Sequence, residues 1–446
     1  MISRILCNYK ISHLERLEVM TKQNSAADII SHIQPGHRVF IHGGSATPIT
    51  LINALVEQAD RLHDVELIHL HTMGKAPYAD PKYSKNFRIT NFFVGANMRG
   101  KVGRDGNDYL PCFLSEIPAL LRSGKRPIDV ALIHVSPPDE HGYCTLGTSV
   151  DIASAAVQSA KLVFAQINKQ MPRVHGDGFV HMSQIHDYIE IDEPIPEAPR
   201  APLSDEEKII GKYVAEMIED GSTIQAGIGA IPDAALAALT NHRHLGIHTE
   251  MWSDGTLELI QCGAVDNSKK KLHPGKTVSG FVTGSKKLYD FIHDNPSVVQ
   301  LDIAYINNPV KIAQNPKAVA INSAVEIDLT GQVCADSIGS RIISGVGGQM
   351  DFIRGSSLSV GGKPIIALTS RTKKGESRIV PVLKSGAGVV TTRAHVHYVV
   401  TEYGVADLYG KTLRERAREL TRIAHPQDRD MLEKGWQQYF HLSSVG

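Results

Sequence analysis

Asp220-Gly221-Ser222-Thr223-Ile224-Gln225-Ala226-Gly227, continuing to Pro232, repeats the plan of an earlier stretch, Pro35-Gly36-His37-Arg38-Val39-Phe40-Ile41-His42-Gly43-Gly44, continuing to Pro48. Each has a Gly, a short β-rich run, a Gly turn and then a Pro that opens an Ala/Leu-rich helical pattern. Further on, His71-Thr72-Met73-Gly74 answers His248-Thr249-Glu250-Met251, and Asp139-x-x-Gly142-x-Cys144 answers Asp328-x-x-Gly331-x-x-Cys334. Gly36 and Gly142 lie 106 residues apart, Gly221 and Gly331 110. Three landmarks in one order at near-equal spacing indicate two copies of one α/β unit. Strand-like and helix-like patterns alternate through 38–42, 48–58, 65–71 and 129–135, and again through 223–226, 232–240 and 245–248. That rhythm predicts mainly parallel sheets covered by helices.

A scaffold common to both halves does not explain a residue found in only one. Glu250 is such a residue, because the first half has Met73 at the corresponding place. An acid at a strand end is most often solvated or salt-bridged. As chemistry, it is a general base or a carboxylate nucleophile, which attacks acyl and phosphoryl centres when donors stabilise the intermediate. Asp254 reads as a turn residue in Ser253-Asp254-Gly255.

Two glycine loops offer such donors. Gly227-Ile228-Gly229-Ala230-Ile231-Pro232 leaves a strand and enters a helix, so its N–H groups can face negative charge. Ser344-Gly345-Val346-Gly347-Gly348-Gln349-Met350-Asp351-Phe352 can form a nest for an oxyanion or phosphate. Neither is a dinucleotide fingerprint, since Pro232 and Met350 stand where the last Gly belongs. Each also reads as a plain turn between core elements.

Bulk composition narrows the function classes. The 446 residues suffice for two or three domains. Lys+Arg and Asp+Glu both total 47, which gives no field favouring nucleic acid or an anionic membrane. Five scattered cysteines without a C-x-x-C pair fit a reducing cytoplasm. No apolar run is long enough to span a bilayer. Residues 1–20 make a poor signal peptide and read as a poorly determined leader. The proline-rich segment 193–203 reads as a linker between a domain at 21–192 and a second at 204–446, which opens on the N-cap pattern Ser204-Asp205-Glu206-Glu207. A charged helix is expected from Thr412 to about Ile423.

Other chemistries lose support. Gly275-Lys276-Thr277 and Gly410-Lys411-Thr412 lack the earlier P-loop Gly, positions 270 and 405 being Lys and Val. There is no G-x-S-x-G elbow and no H-E-x-x-H. His69/His71 and His395/His397 alternate as if on strands, without further ligands at metal spacing, so ordinary strand histidines and no metal are expected. Lys269-Lys270-Lys271 reads as a solvated loop.

Taken together, the blocks 225–232, 248–255, Asn322-Ser323-Ala324-Val325-Glu326-Ile327-Asp328, 344–352 and Thr401-Glu402-Tyr403-Gly404-Val405-Ala406-Asp407-Leu408 resemble the acyl-CoA:carboxylate CoA-transferases of the acetyl-CoA hydrolase/transferase family. The resemblance runs from about Gly36 to the C-terminal helix. It implies two similar CoA-transferase-type domains with the site between them, and Glu250 as the family's nucleophilic glutamate. It further implies that Gly227, Ile228, Gly229, Ala230 and Ile231 line the CoA thioester. Gly345, Gly347 and Gly348 lie on the second CoA-binding loop, with the Ile228 and Gly348 N–H groups as oxyanion donors. Lys374, beside Lys373, matches a CoA-contacting lysine. The implied co-substrates are coenzyme A and small carboxylates, without metal or ATP, and the implied assembly is a homodimer or larger. Acyl-CoA hydrolysis, a non-catalytic CoA-binding module and a sugar-phosphate isomerase are the rival readings.

Overall fold

The computed structural model describes residues 24–198 and 200–442; the expected leader lies outside them. In the first half, β1 (Arg38–Ile41), β2 (Val65–His69), β3 (Phe87–Asn91), β4 (Asn107–Tyr109), β5 (Val130–Val135), β6 (Leu162–Asn168) and β7 (Asp187–Ile191) form one sheet in the order β7-β6-β5-β1-β2-β3-β4. All its pairs are parallel. Every residue of β5 is buried, as expected of a parallel strand covered on both faces. In the second half, β8 (Thr223–Ala226), β9 (Gly246–Ile247), β10 (Ala318–Ser323), β11 (Lys363–Ala367), β12 (Tyr398–Thr401) and β13 (Gly404–Asp407) follow the order β9-β8-β10-β11-β12-β13. Only the last pair is antiparallel.

The run β2-β1-β5-β6-β7 therefore corresponds, strand for strand, to β9-β8-β10-β11-β12. The internal repeat is a repeated topology. Its third landmark is a repeated turn as well. Asp139 Oδ1 accepts from the N–H groups of His141 and Tyr143, and Asp328 Oδ1 from those of Thr330 and Gln332. The turns close on Gly142 and Gly331 at φ 82° and 95°, which a side chain disfavours.

Helices α1 (Ile49–Glu57), α2 (Asp205–Met217), α3 (Ala230–Ala237), α4 (Asp254–Gln261), α5 (Lys286–Ile292), α6 (Ile303–Ile306), α7 (Gln349–Leu358) and α8 (Leu413–Arg422) cover the sheets. Ser204 and Thr412 make the capping boxes that start α2 and α8. One more helix, Arg429–Leu442, follows the expected C-terminal one. The halves do not separate cleanly. One buried apolar cluster runs from Phe40 and Ile133 through Ile303 to Phe352 and Val399. His175–Gly176 of the first half also pairs with Val298–Gln300 of the second.

Three sequence expectations fail here for tertiary reasons. Lys270 is buried rather than solvated, and its ammonium donates to the carbonyls of Ile247 and Lys276, 2.6 Å each. Burial lowers its pKa to about 7. Asp254 is no plain turn residue. It opens α4, and its carboxylate accepts from the N–H and hydroxyl of Ser285 ahead of α5. His395 and His397 precede β12, and His71 lies beyond the end of β2, so only His69 of the four is on a strand.

Gly211 in α2 faces α3 so closely that a Cβ there would come within 2.5 Å of the Ala234 carbonyl oxygen. Gly211→Ala, which gains about 1 kcal/mol of helix propensity, is expected to destabilise by roughly 1–3 kcal/mol through overpacking. A denaturant melt measures the sign.

Candidate functional site

The segment that carries Glu250 is held on both sides before its side chain is considered. His248 N–H donates to Ile224 O within β8, and Thr249 N–H to Val278 O. Glu250 O accepts from the N–H groups of Gly280 (2.9 Å) and Phe281 (3.2 Å), and Met251–Trp252 pairs in parallel with Phe281–Val282. Buried Trp252 donates its indole N–H to Ser279 Oγ. With the backbone fixed, the carboxyl has little freedom to seek water.

Around that carboxyl stand groups from both halves. Asn307, fully buried at the end of α6, points its amide nitrogen at Glu250 Oε2 (3.4 Å) and at Asp351 Oδ2 (3.3 Å). Asp351, in the first turn of α7, is in turn held from the first half by the Ser115 N–H (3.2 Å) and hydroxyl (2.8 Å). The Gly348 N–H faces Glu250, and a Cβ on Gly348 would overlap both Glu250 Oε2 and Asn307 Nδ2. Gly348 has φ −99°, so glycine is required here by space and not by backbone angle.

The electrostatics follow from this crowding. Glu250 keeps part of its surface open, but loss of hydration dominates and pushes its carboxyl up to about 7. The Asn307 and Gly348 hydrogen bonds oppose that shift, whereas the nearby charges of Asp351 and Asp151 add to it. Asp351 is also raised, to about 6, chiefly by burial. His248 Nε2 bonds the Ile306 carbonyl at 2.8 Å, next to Asn307, and burial keeps the ring neutral at physiological pH, its pKa lowered to about 3.

The loop that supplies Gly348 is stitched to the first half. Ser344 O accepts from Val94 N–H, Gly347 O from Leu114 N–H, and Val346 N–H donates to the Tyr109 hydroxyl. Gly345 and Gly347 lie against Phe93, where a Cβ on Gly345 would approach its ring within 2.8 Å. Glu250, Gly348, Gly347 and Gly345 are thus brought together at the seam of the two halves.

The other glycine turn leaves β8 on the same edge from which the Glu250 segment leaves β9. Gly227 shares a small cavity with Thr249, Met251 and Ser253. Ile228 is 58% exposed, Gly229 is exposed at φ 130°, Ala230 begins α3, and Ile231 is buried in the core. No hydrogen bond joins this turn to Glu250 among the described residues. Lys374 stands exposed in the turn Thr372–Gly375, with no bond to the Glu250 cluster. Asn307, Ser115 and Asp151 carry no motif and were not legible in sequence; Asp351 sits inside the second glycine block without a spacing that marks it. Among the described residues no group of three or more His, Cys, Asp or Glu is placed to hold a metal ion.

Because the folded pKa of Glu250 lies above its ordinary 4.5, the folded protein holds this proton more tightly. The associated stability is fully present below pH 4.5 and is lost as pH rises through 7. Glu250→Gln is therefore expected to be more stable than wild type at pH 8, by about 1–3 kcal/mol, and equal to it at pH 4.5. Urea melts at the two pH values measure both.

Comparison with known proteins fits this geometry. Residues 11–199 match the acetyl-CoA hydrolase/transferase N-terminal domain and residues 284–436 the C-terminal domain of the same family. The chain is 53% identical to a succinyl-CoA:acetate/propanoyl-CoA:succinate CoA transferase of Fasciola hepatica, over 90% of this chain and 85% of that one. It is 49% identical to a 4-hydroxybutyrate coenzyme A transferase of Clostridium kluyveri, over 93% and 97%. The crystal structure of RipA from Yersinia pestis superposes with a TM-score of 0.90 at 32% identity, covering 94% of this chain and 97% of that one. The chain belongs to the acetyl-CoA hydrolase/transferase family, as one of its CoA-transferases.

Proposed function

We propose that the protein moves CoA from an acyl-CoA to a free short-chain carboxylate, with Glu250 as covalent carrier. The observation that carries this reading is the poorly hydrated Glu250 carboxyl, packed against the Gly348 N–H at the seam of the halves. A carboxylate stripped of water is a stronger nucleophile than one in solution, and desolvation is the larger influence here.

Glu250 attacks the thioester carbonyl, and collapse of the tetrahedral adduct expels CoA thiolate and leaves an acyl-glutamyl anhydride. The thiolate then attacks the glutamyl carbonyl. That step forms a glutamyl-CoA thioester and releases the first acid as carboxylate. A second carboxylate runs the steps backwards and leaves as its CoA ester. Thioester bond energy is kept throughout, so the sequence of steps consumes no ATP. Each adduct carries an oxyanion, for which loss of one donor costs about 10²–10³-fold in rate. The Gly348 N–H, which faces Glu250, supports it as one donor, and Ile228 is the second candidate. Asn307 keeps Glu250 and Asp351 at a fixed separation, while the Asp351 charge favours protonation of Glu250 until substrate enters.

Water in place of the second acid would make the same site a hydrolase, and the first half-reaction separates the two. With acyl-CoA alone, a transferase releases about one acid per site and stops; a hydrolase continues. Glu250→Gln is expected to release none and to lose transfer at least about 10³-fold. Wild-type kcat/KM for acyl-CoA should fall about tenfold per unit below pH 7, as Glu250 takes up its proton. Gly348→Ala, whose backbone angles suit alanine, is expected to lower kcat at least about 10²-fold while circular dichroism stays unchanged. Steady-state rates on acetyl-CoA measure both variants.

A further inference from the structure

His248 stands behind the Glu250 cluster rather than in it. The residue is 2% exposed, its Nε2 bonds the Ile306 carbonyl at 2.8 Å, and Phe352 meets the ring edge-on with centroids 6.3 Å apart. Ile306 adjoins Asn307, Phe352 adjoins Asp351, and His248 itself lies two residues before Glu250. One imidazole thus bears on the chain beside each of the three polar groups that meet at the seam. A carbonyl only accepts, so Nε2 carries a proton, and burial keeps the ring neutral by lowering its pKa to about 3. Nδ1 is then a bare acceptor, and no protein group among the described residues donates to it.

Two more side chains have an unmet need in the same place. Thr223, in β8, is 3% exposed and Asn315 is 0% exposed. Asn315 Oδ1 accepts from the N–H groups of Lys271 and Leu272, 3.0 Å each, which identifies the other end of the amide as the donor. That nitrogen and the Thr223 hydroxyl have no protein partner among the described residues. His248, Thr223 and Asn315 all line one cavity of about 10 Å³, whose other lining residues are buried as well. This is the room that one water molecule occupies. Buried polar atoms without partners are rare, and three around one such space call for a shared partner.

We propose that the cavity binds one ordered water, which accepts from the Asn315 amide, donates to His248 Nδ1 and pairs with the Thr223 hydroxyl, and so makes His248 a positioning residue for Glu250. The positioning role rests on the CoA-transfer reading given above. Donation to Nδ1 keeps the imidazole proton on Nε2, where the Ile306 carbonyl receives it. With the proton on Nδ1 instead, Nε2 and that carbonyl would be two acceptors in contact. Fixing Ile306 fixes the start of the Asn307 side chain, whose amide meets Glu250 Oε2 and Asp351 Oδ2.

Two measurements test this. A crystal structure that resolves ordered water is expected to show one peak at roughly 2.7–3.2 Å from His248 Nδ1, Asn315 Nδ2 and Thr223 Oγ1. A cavity without density, or Asn315 bonded directly to His248, overturns the site. Transfer from acetyl-CoA to butyrate is then compared in wild type, His248→Leu and His248→Gln. Expected for His248→Leu is a loss of about 10- to 100-fold in kcat with KM held within about threefold, the mark of a misplaced carboxylate rather than of weaker binding. His248→Gln, which keeps a donor and an acceptor, should recover most of the loss. Because His248 acts through Asn307, adding His248→Leu to Asn307→Ala should lower kcat by no more than about twofold further. Losses that multiply, a wild-type kcat in His248→Leu, or a fall that only follows the melting temperature overturns the positioning role. Failure of the CoA-transfer reading looks different: Glu250→Gln would still transfer CoA, and the positioning role would fall with it.

Discussion

One steric fact governs the centre of this protein: no atom larger than hydrogen fits between the Gly348 backbone and the Glu250 carboxyl. Closeness of that kind displaces water from an acid, raises its proton affinity, and leaves a backbone N–H and the Asn307 amide as its donors. The cost is lost stability above neutral pH. It is borne by a continuous apolar core and by a backbone clamp in which Gly280, Phe281 and Val278 fix the Glu250 segment. The same contact sets the position of Asn307, and through it of Asp351 and Ser115. The seam between the halves and the surroundings of this carboxyl are here one structure.

The repeat explains how such a seam arises. Equivalent strands in each half follow one order and end in equivalent turns. Where the second half has Glu250, the first has Met73; where the first has His71, the second commits His248 to holding the chain next to Asn307. Divergence at these two matched positions sets the halves of a duplicated scaffold apart. The remaining matches, such as the Asp139 and Asp328 turns, are scaffold.

How much of this was readable in the chain depends on range. The repeat, the α/β class, the capping of α2 and α8 and the singularity of Glu250 come from local patterns, which side-chain period and turn chemistry dictate. Lys270 was misread because its neighbours Lys269 and Lys271 are what a solvated run looks like. Its burial follows from Gly246, whose missing side chain leaves room for the lysine stem, a tertiary fit with no local mark. Asp254 was misread for the same reason, since its partner Ser285 is 31 residues away. The glycine loop 344–348 was visible as a motif, but its dependence on Phe93, Tyr109 and Leu114 was not. Asn307, the residue that joins the two acids, sits in a segment with no distinguishing composition.

The central claim is that the Glu250 carboxyl becomes covalently bound to the sulfur of CoA. It is tested most directly by mixing the protein with acyl-CoA, adding borohydride, and sequencing the peptide that spans residues 244–271 by mass spectrometry. The account predicts reduction of Glu250, and of no other acid, to a primary alcohol, with activity lost in proportion. An unmodified Glu250 in a preparation that turns over acyl-CoA at its full rate would contradict it.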